Sequence, residues 1–374
     1  MSVQGTPSRS EELGRRASSS LALRRGWIGI AVGVLLLWLA FRKVPMAELG
    51  SALAGGEYAW LVPLAGLELV AFVGRAVRWQ ALLAVPGILG DAFWAQSVGF
   101  IFTNLLPFRL GEAVRIVVLG RRARLPLLRV AASAGAERVL DVVAVLVMLF
   151  FVLPAMAVPT AVIQAGGVFA LIVLAALLGT ALVLVFRRQT DRILTRLEER
   201  RPGALIRAAL PRWHELVDGL APLSRPKVVV QSALLSASIW GLYVLAYWCV
   251  LRAFRSDASV VEAAFMVIAL SLAISLPSSP GFIGVFQFAG QQALVLPFGG
   301  KYDPATALAA TLAAYLVWYV LTTFLGALGM WQTGETFADI SRLLTAWRAR
   351  SAARGASVEG IDGDHVQGGQ DERR

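Results

Sequence analysis

Long uninterrupted apolar runs constrain this chain more than any other feature. They extend from about Trp27 to Phe41, Tyr58 to Val77, Val130 to Leu153, Val162 to Phe186, Val228 to Leu251 and Pro304 to Trp331. A helix of roughly 20 apolar residues crosses the hydrocarbon core of a bilayer and satisfies its backbone hydrogen bonds internally. A membrane β-barrel would instead show alternating segments of about ten residues, and the sequence contains none. Only 16% of the 374 residues are charged, against about a quarter in soluble domains. The sequence therefore predicts an all-α polytopic integral membrane protein. No small-x-small cleavage site follows the first run before Arg42 and Lys43, so that run is expected to be a retained helix rather than a signal peptide.

Two apolar regions do not fit a simple span. Ala92 to Leu106 is about 15 residues, roughly 22 Å as a helix, shorter than a hydrocarbon core of about 30 Å. It ends in Asn104-Leu105-Leu106-Pro107 and resumes after Gly111 as Ala113 to Gly120. The second, Glu262 to Leu296, is broken by Pro277-Ser278-Ser279-Pro280-Gly281 and by Gly284. Proline and glycine at this density end helices.

Charge orients these pieces. Residues 1–26 hold five Arg against two Glu, 108–129 six Arg against one Glu, and 187–227 ten Lys or Arg against five acids. Basic loops stay in the cytoplasm. With the N-terminus inside, 92–120 must enter and leave from the cytoplasmic side and 262–296 from the outside. The expected architecture is six full transmembrane helices plus two oppositely oriented broken re-entrant hairpins, six to eight spans in all, arranged like an inverted repeat. Residues 1–26 are expected to be a disordered basic tail, 27–331 the membrane domain with an amphipathic cytoplasmic loop at 187–227, and 332–374 a cytoplasmic tail. The location predicted is the cytoplasmic (inner) membrane, with both termini in the cytoplasm.

Inverted repeats with interrupted helices in corresponding positions mark secondary transporters, whose substrate sites lie where the broken helices meet. At the first break, Arg109 and Arg115 can hold a phosphate through their guanidinium forks. Glu112 can steady one of them or meet an amine, and Asn104 both donates and accepts. The plainer alternative is a set of juxtamembrane arginines that only set topology. Glu137, Arg138 and Asp141 open a long apolar run. They are either an ion pair at a helix end or inward partners for Arg109 or Arg115. Arg75 and Arg78 are expected to snorkel to the cytoplasmic headgroups, while Glu68, well inside a span, needs a buried role. At the second break, Ser278, Ser279, Pro280, Gly281 and Gly284 either line a path for a headgroup or form a turn.

The net charge of +11 comes from arginines at the ends of apolar runs, so nucleic acid is not the expected partner. One cysteine, Cys249, and two distant histidines, His214 and His365, give no disulfide and no metal site. No cofactor or catalytic motif is present, and the chain is not expected to be an enzyme.

Four motifs in order carry a resemblance: Gly74-Arg75-x-x-Arg78-Trp79, Asn104-x-x-Pro107-x-Arg109-x-Gly111-Glu112-x-x-Arg115, Glu137-Arg138-x-x-Asp141, and Pro280-Gly-Phe-Ile-Gly284-Val-Phe-Gln287. The chain resembles the lysylphosphatidylglycerol synthase transmembrane-region family, or flippase-like domain proteins, over about residues 25–335. The resemblance implies a flippase-like, lipid-handling role. In bifunctional relatives such a domain moves an aminoacylated lipid between leaflets. About 40 residues follow the last span, too few for the aminoacyl-transferase domain of those relatives, so lysyl-lipid synthesis is not expected. Gln287 stands where many members carry Glu, which weakens the case for a basic headgroup.

The expected function is therefore translocation or binding of an anionic phospholipid or isoprenoid-linked lipid. A different class is a non-transporting partner that scaffolds a lipid- or envelope-synthesis enzyme, docked through 187–227. Homo-oligomerisation is compatible with either. A membrane-embedded transferase is disfavoured by the lack of a metal or nucleotide signature.

Overall fold

Twelve α-helices carry the described part of the chain in this computed structural model, which covers residues 29–106, 110–155, 160–200, 204–275, 279–298, 300–339 and 342. They are α1 (Gly29–Phe41), α2 (Met46–Ala54), α3 (Leu61–Leu83), α4 (Leu89–Leu105), α5 (Leu110–Arg122) and α6 (Leu127–Val152). The second half holds α7 (Thr160–Arg200), α8 (Ala204–Leu220), α9 (Pro226–Phe254), α10 (Val260–Ser275), α11 (Val285–Val295) and α12 (Pro304–Thr333). Local chemistry sets several ends. Pro226 and Pro304 occupy first helical turns, where no amide is missed. The Asp303 carboxylate accepts from the Ala305 and Thr306 amides and caps α12. Gly334, with φ 69°, ends it.

By length and composition, four described helices can cross a membrane: Tyr58–Leu83, Ala170–Glu199, Pro226–Phe254 and Pro304–Thr333. The bent pair α1 and α2, turned by 82°, makes five if it counts as one span. The six expected spans included Val130 to Leu153. α6 covers that run, yet Glu137, Arg138 and Asp141 within it keep it out of the apolar set. α7 runs on past the expected end at Phe186 to Arg200, so the 187–227 segment begins as a continuation of a span. The proposed tails 1–26 and most of 332–374 lie outside the described residues.

The two broken regions form helical hairpins. α4 packs along α5 and Arg122 Nε reaches Asp91 Oδ1 at 2.7 Å, which brings the two open ends together. Close approach depends on glycine: a Cβ at Gly111 would run into the Gly99 carbonyl and the Thr103 hydroxyl. α10 packs along α11 in the same way, and Glu262 at its base accepts from Lys301 Nζ at 2.5 Å and the Tyr302 hydroxyl at 2.6 Å.

α12, 30 residues and roughly 45 Å long, shows how the hairpins sit. Its Thr311 lies against Gly290 of α11, its Tyr315 and Tyr319 against Gly281, its Thr322 and Thr323 against Asn104, its Gly326 against Ile101, and its Gly329 against Ser97. Beyond its end, Glu335 pairs with Arg121 at 3.1 Å. The hairpins therefore point at each other and their tips meet near the middle of α12, where the Gly281 site lies within contact distance of the Asn104 carbonyl.

Packing repeats between halves. α3 contacts α4 and α6 as α9 contacts α10 and α12; α5 lies on α6 as α11 lies on α12. Across the halves α3 packs on α9, α4 on α12 and α10 on α6, and α2 lies on α12 as α8 lies on α6. The helix pairings of one half thus recur in the other. One asymmetry remains: α4 is pressed along α12, whereas α10 meets α6 over a shorter stretch.

Candidate functional site

Buried arginines need acidic partners, because an isolated ion in a low-dielectric interior is very costly. Here Glu137, fully buried on α6, serves three of them. Its Oε1 accepts from Arg75 Nη2 at 3.2 Å and Arg78 Nη2 at 3.1 Å, and its Oε2 accepts from Arg115 Nη1 at 2.8 Å. Arg78 also donates to Asp141 Oδ1 at 2.7 Å and to the Ser236 hydroxyl at 2.8 Å. Arg115 Nε reaches Glu112 Oε2 at 2.7 Å, and Arg138 bridges Glu112 and Asp141.

Aromatic groups fix this network. The Arg115 guanidinium lies 4.7 Å from the Trp79 ring centroid, a cation–π geometry. The Trp79 indole donates to Ser133 at 3.1 Å. Gly74 lets α3 approach α9 at Ile239.

The network floors a cavity of about 200 Å³. Arg75, Glu112, Arg115, Arg138 and Asp141 line it together with the apolar Val145, Val267, Leu270, Phe282, Phe286 and Trp318. Phe286 stacks on Trp318 with centroids 6.2 Å apart. Phe282 holds a left-handed backbone, φ 60°, a conformation that costs a side-chain-bearing residue roughly 1–2 kcal/mol. The volume falls below the roughly 300–1,000 Å³ of drug-sized pockets.

The structure thus gathers Arg75, Arg78, Gly111, Glu112, Arg115, Glu137, Arg138 and Asp141 at one place. Arg75 and Arg78 do not snorkel outward as expected. Both turn inward because Glu137 and Asp141 are there to receive them. Pro107, Arg109 and Ser278 lie outside the described residues. Asn104 sits at the tip junction and donates to Thr322 Oγ1 at 3.1 Å and Thr323 Oγ1 at 2.9 Å.

Of the described residues from Ser279 to Gln287, only Phe282 and Phe286 line the cavity. The Ser279 hydroxyl donates to the Ile283 carbonyl at 2.6 Å, and the Gly284 amide donates to Gln287 Oε1 at 2.7 Å. The Gly281 carbonyl accepts from the Tyr315 hydroxyl at 2.9 Å. Ser279, Pro280, Gly281, Gly284 and Gln287 therefore shape the tip rather than offer polar groups to a ligand. Sequence reasoning missed Trp240, Tyr243 and Tyr247 of α9, which also line the cavity; their spacing of three and four places them on one helix face, a signal present in the sequence.

Removal of the Asn104 amide should loosen the junction of the tips. Asn104→Ala is expected to lower stability by about 1–2 kcal/mol. Thr322→Ala combined with it should add less than its own effect, as coupled contacts do. Thermal unfolding of the detergent-solubilised variants measures both.

Two helical hairpins, an ionic network buried between α3, α5 and α6, and membrane-length helices define an all-helical membrane domain. The chain belongs to the family described as Lysylphosphatidylglycerol synthase TM region, which matches residues 26–326. It is a membrane protein related to lipid handling. No curated protein and no solved structure matches it significantly.

Proposed function

We propose that this protein is a lipid translocase of the cytoplasmic (inner) membrane, without enzymatic activity, that passes the headgroup of an anionic phospholipid or isoprenoid-linked lipid through the cavity. The observation that carries this reading is a cavity lined from both hairpins, in which buried charged groups and apolar side chains share one space. Arg75 Nε and Arg115 Nη2 find no acceptor among the described residues, and buried donors of this kind normally have one. In this reading α4 and α5 dip in from the cytoplasm, α10 and α11 from outside, and both termini are cytoplasmic. Irregular backbone at that depth is tolerated where protein or a wet cavity surrounds it. The looser meeting of α10 with α6 supports a transport cycle in which the two halves exchange packing.

The alternative, a scaffold docked through 187–227, draws less support. α8 is engaged within the molecule: Gly219 packs on Arg129 and Ala132 of α6, and the Trp213 indole donates to Asp191 at 2.6 Å.

The test is reconstitution of the full chain in liposomes with headgroup-labelled anionic and isoprenoid lipids. Wild-type protein should speed exchange between leaflets. Arg138→Ala, at the half-exposed edge of the network, should slow it about tenfold or more, the loss expected for one hydrogen bond to a charged group. No acceleration across the lipid panel would end this proposal.

A further inference from the structure

Of the four acidic groups in or beside the cavity, Glu112, Glu137 and Asp141 form ion pairs with arginine at 3.3 Å or less, and the fourth does not. Glu68 on α3 is 6% exposed and lines the cavity. No described residue lies within ion-pair distance of it, and the cation whose charge it feels is Arg75. Arg75 lies seven residues on, two helical turns or roughly 10 Å along the axis. The titratable groups around the same space are Tyr243 and Tyr247 on α9, Asp141 and Arg138 on α6, and Glu112 and Arg115 on α5. From the other elements come only neutral groups: Gln96 on α4, Ser271 on α10 and Trp318 on α12.

The charge count then matters. Arg75, Arg78, Arg115 and Arg138 face Glu112, Glu137 and Asp141 within the network. Among the described residues this leaves one positive charge in excess. With Glu68 ionised the region is neutral, and an entering anion would create an unbalanced negative charge in a poorly screened space. With Glu68 protonated the excess positive charge is free to balance one phosphate. Unbalanced buried charge is strongly unfavourable, so the empty cavity favours ionised Glu68 and the anion-filled cavity favours the protonated acid.

We propose that Glu68 is a proton-binding counterion, so that one proton enters with each anionic phosphate headgroup and the pair crosses without net charge. This rests on the lipid-headgroup reading above. Coupling between two ligands is reciprocal: protonation tightens anion binding, and anion binding draws in a proton. Anion affinity should therefore fall about tenfold per pH unit once Glu68 is ionised in the empty protein.

Titration calorimetry on the purified full chain tests this, with dioctanoyl phosphatidylglycerol and, separately, inorganic phosphate as probes, each in two buffers of different ionisation enthalpy. The expected result is uptake of about one proton per bound lipid at a pH where Glu68 is ionised in the empty protein, with affinity falling about tenfold per unit there. Glu68→Gln and Glu68→Ala should bind lipid without proton uptake and with flat pH dependence. Lipid binding without proton uptake in wild type, or the same uptake in both variants, overturns the assignment. Proton-linked binding of inorganic phosphate that Glu68→Gln abolishes, without lipid binding, would keep Glu68 as the counterion and overturn the lipid reading. Binding of neither probe would remove both.

Discussion

Glu137→Ala is expected to produce the largest loss of stability of any single substitution in the ionic network. Glu137 is fully buried and is shared by Arg75, Arg78 and Arg115. Its removal leaves three guanidiniums crowded together, with Arg75 losing its one carboxylate partner. Breaking a single buried ion pair costs on the order of 3–5 kcal/mol, and the figure here should sit at or above the top of that range. Neighbouring substitutions give the scale. Asp141→Ala should cost less, because Arg78 keeps Glu137 and Ser236. Glu112→Ala should cost least, since its side chain is 36% exposed and water can replace it. Fluorescence-detected size exclusion after heating would rank the three. A Glu137→Ala protein as heat-stable as Glu112→Ala would show that the network is not what holds α3, α5 and α6 together.

The second large effect is expected at Gly284, for a reason that has nothing to do with charge. Its backbone has φ 86° and ψ −50°, a conformation that strains any residue with a side chain. A Cβ there would also overlap the Gly33 carbonyl of α1. Gly284→Ala should therefore cost about 3 kcal/mol or more, the backbone strain alone accounting for roughly 1–3 kcal/mol. Gly66→Ala is the control. Gly66 lies in α3 with nothing within 4 Å of the new Cβ, so this change should be neutral or stabilise by up to about 1 kcal/mol. Thermal unfolding of both variants decides it. Equal unfolding temperatures would mean that α1 does not press on the second tip as described.

How far the site was legible depended on distance along the chain. Arg115 and Glu112 share one short segment, and Glu137 follows closely, so their association was open to inference from spacing. The inward turn of Arg75 and Arg78 was not. Their partner Glu137 lies 59 to 62 residues away, and a basic residue near a helix end looks the same whether it meets headgroups or a buried carboxylate. Gln287 shows the converse. It suggested an altered ligand contact, yet its side chain is taken up by the Gly284 amide.

The sequence by itself determined the class of protein, the membrane environment, the two breaks and the residues placed at them. Those properties follow from local quantities: the length of apolar runs, the places where proline and glycine end helices, and the clustering of arginine at the ends of those runs. Only the tertiary structure decided that the hairpin tips meet along α12, that one carboxylate serves three arginines, and that Glu68 makes no close ion pair among the described residues. Each of these depends on which helices become neighbours. That choice is made by packing over the whole domain, and no single segment records it.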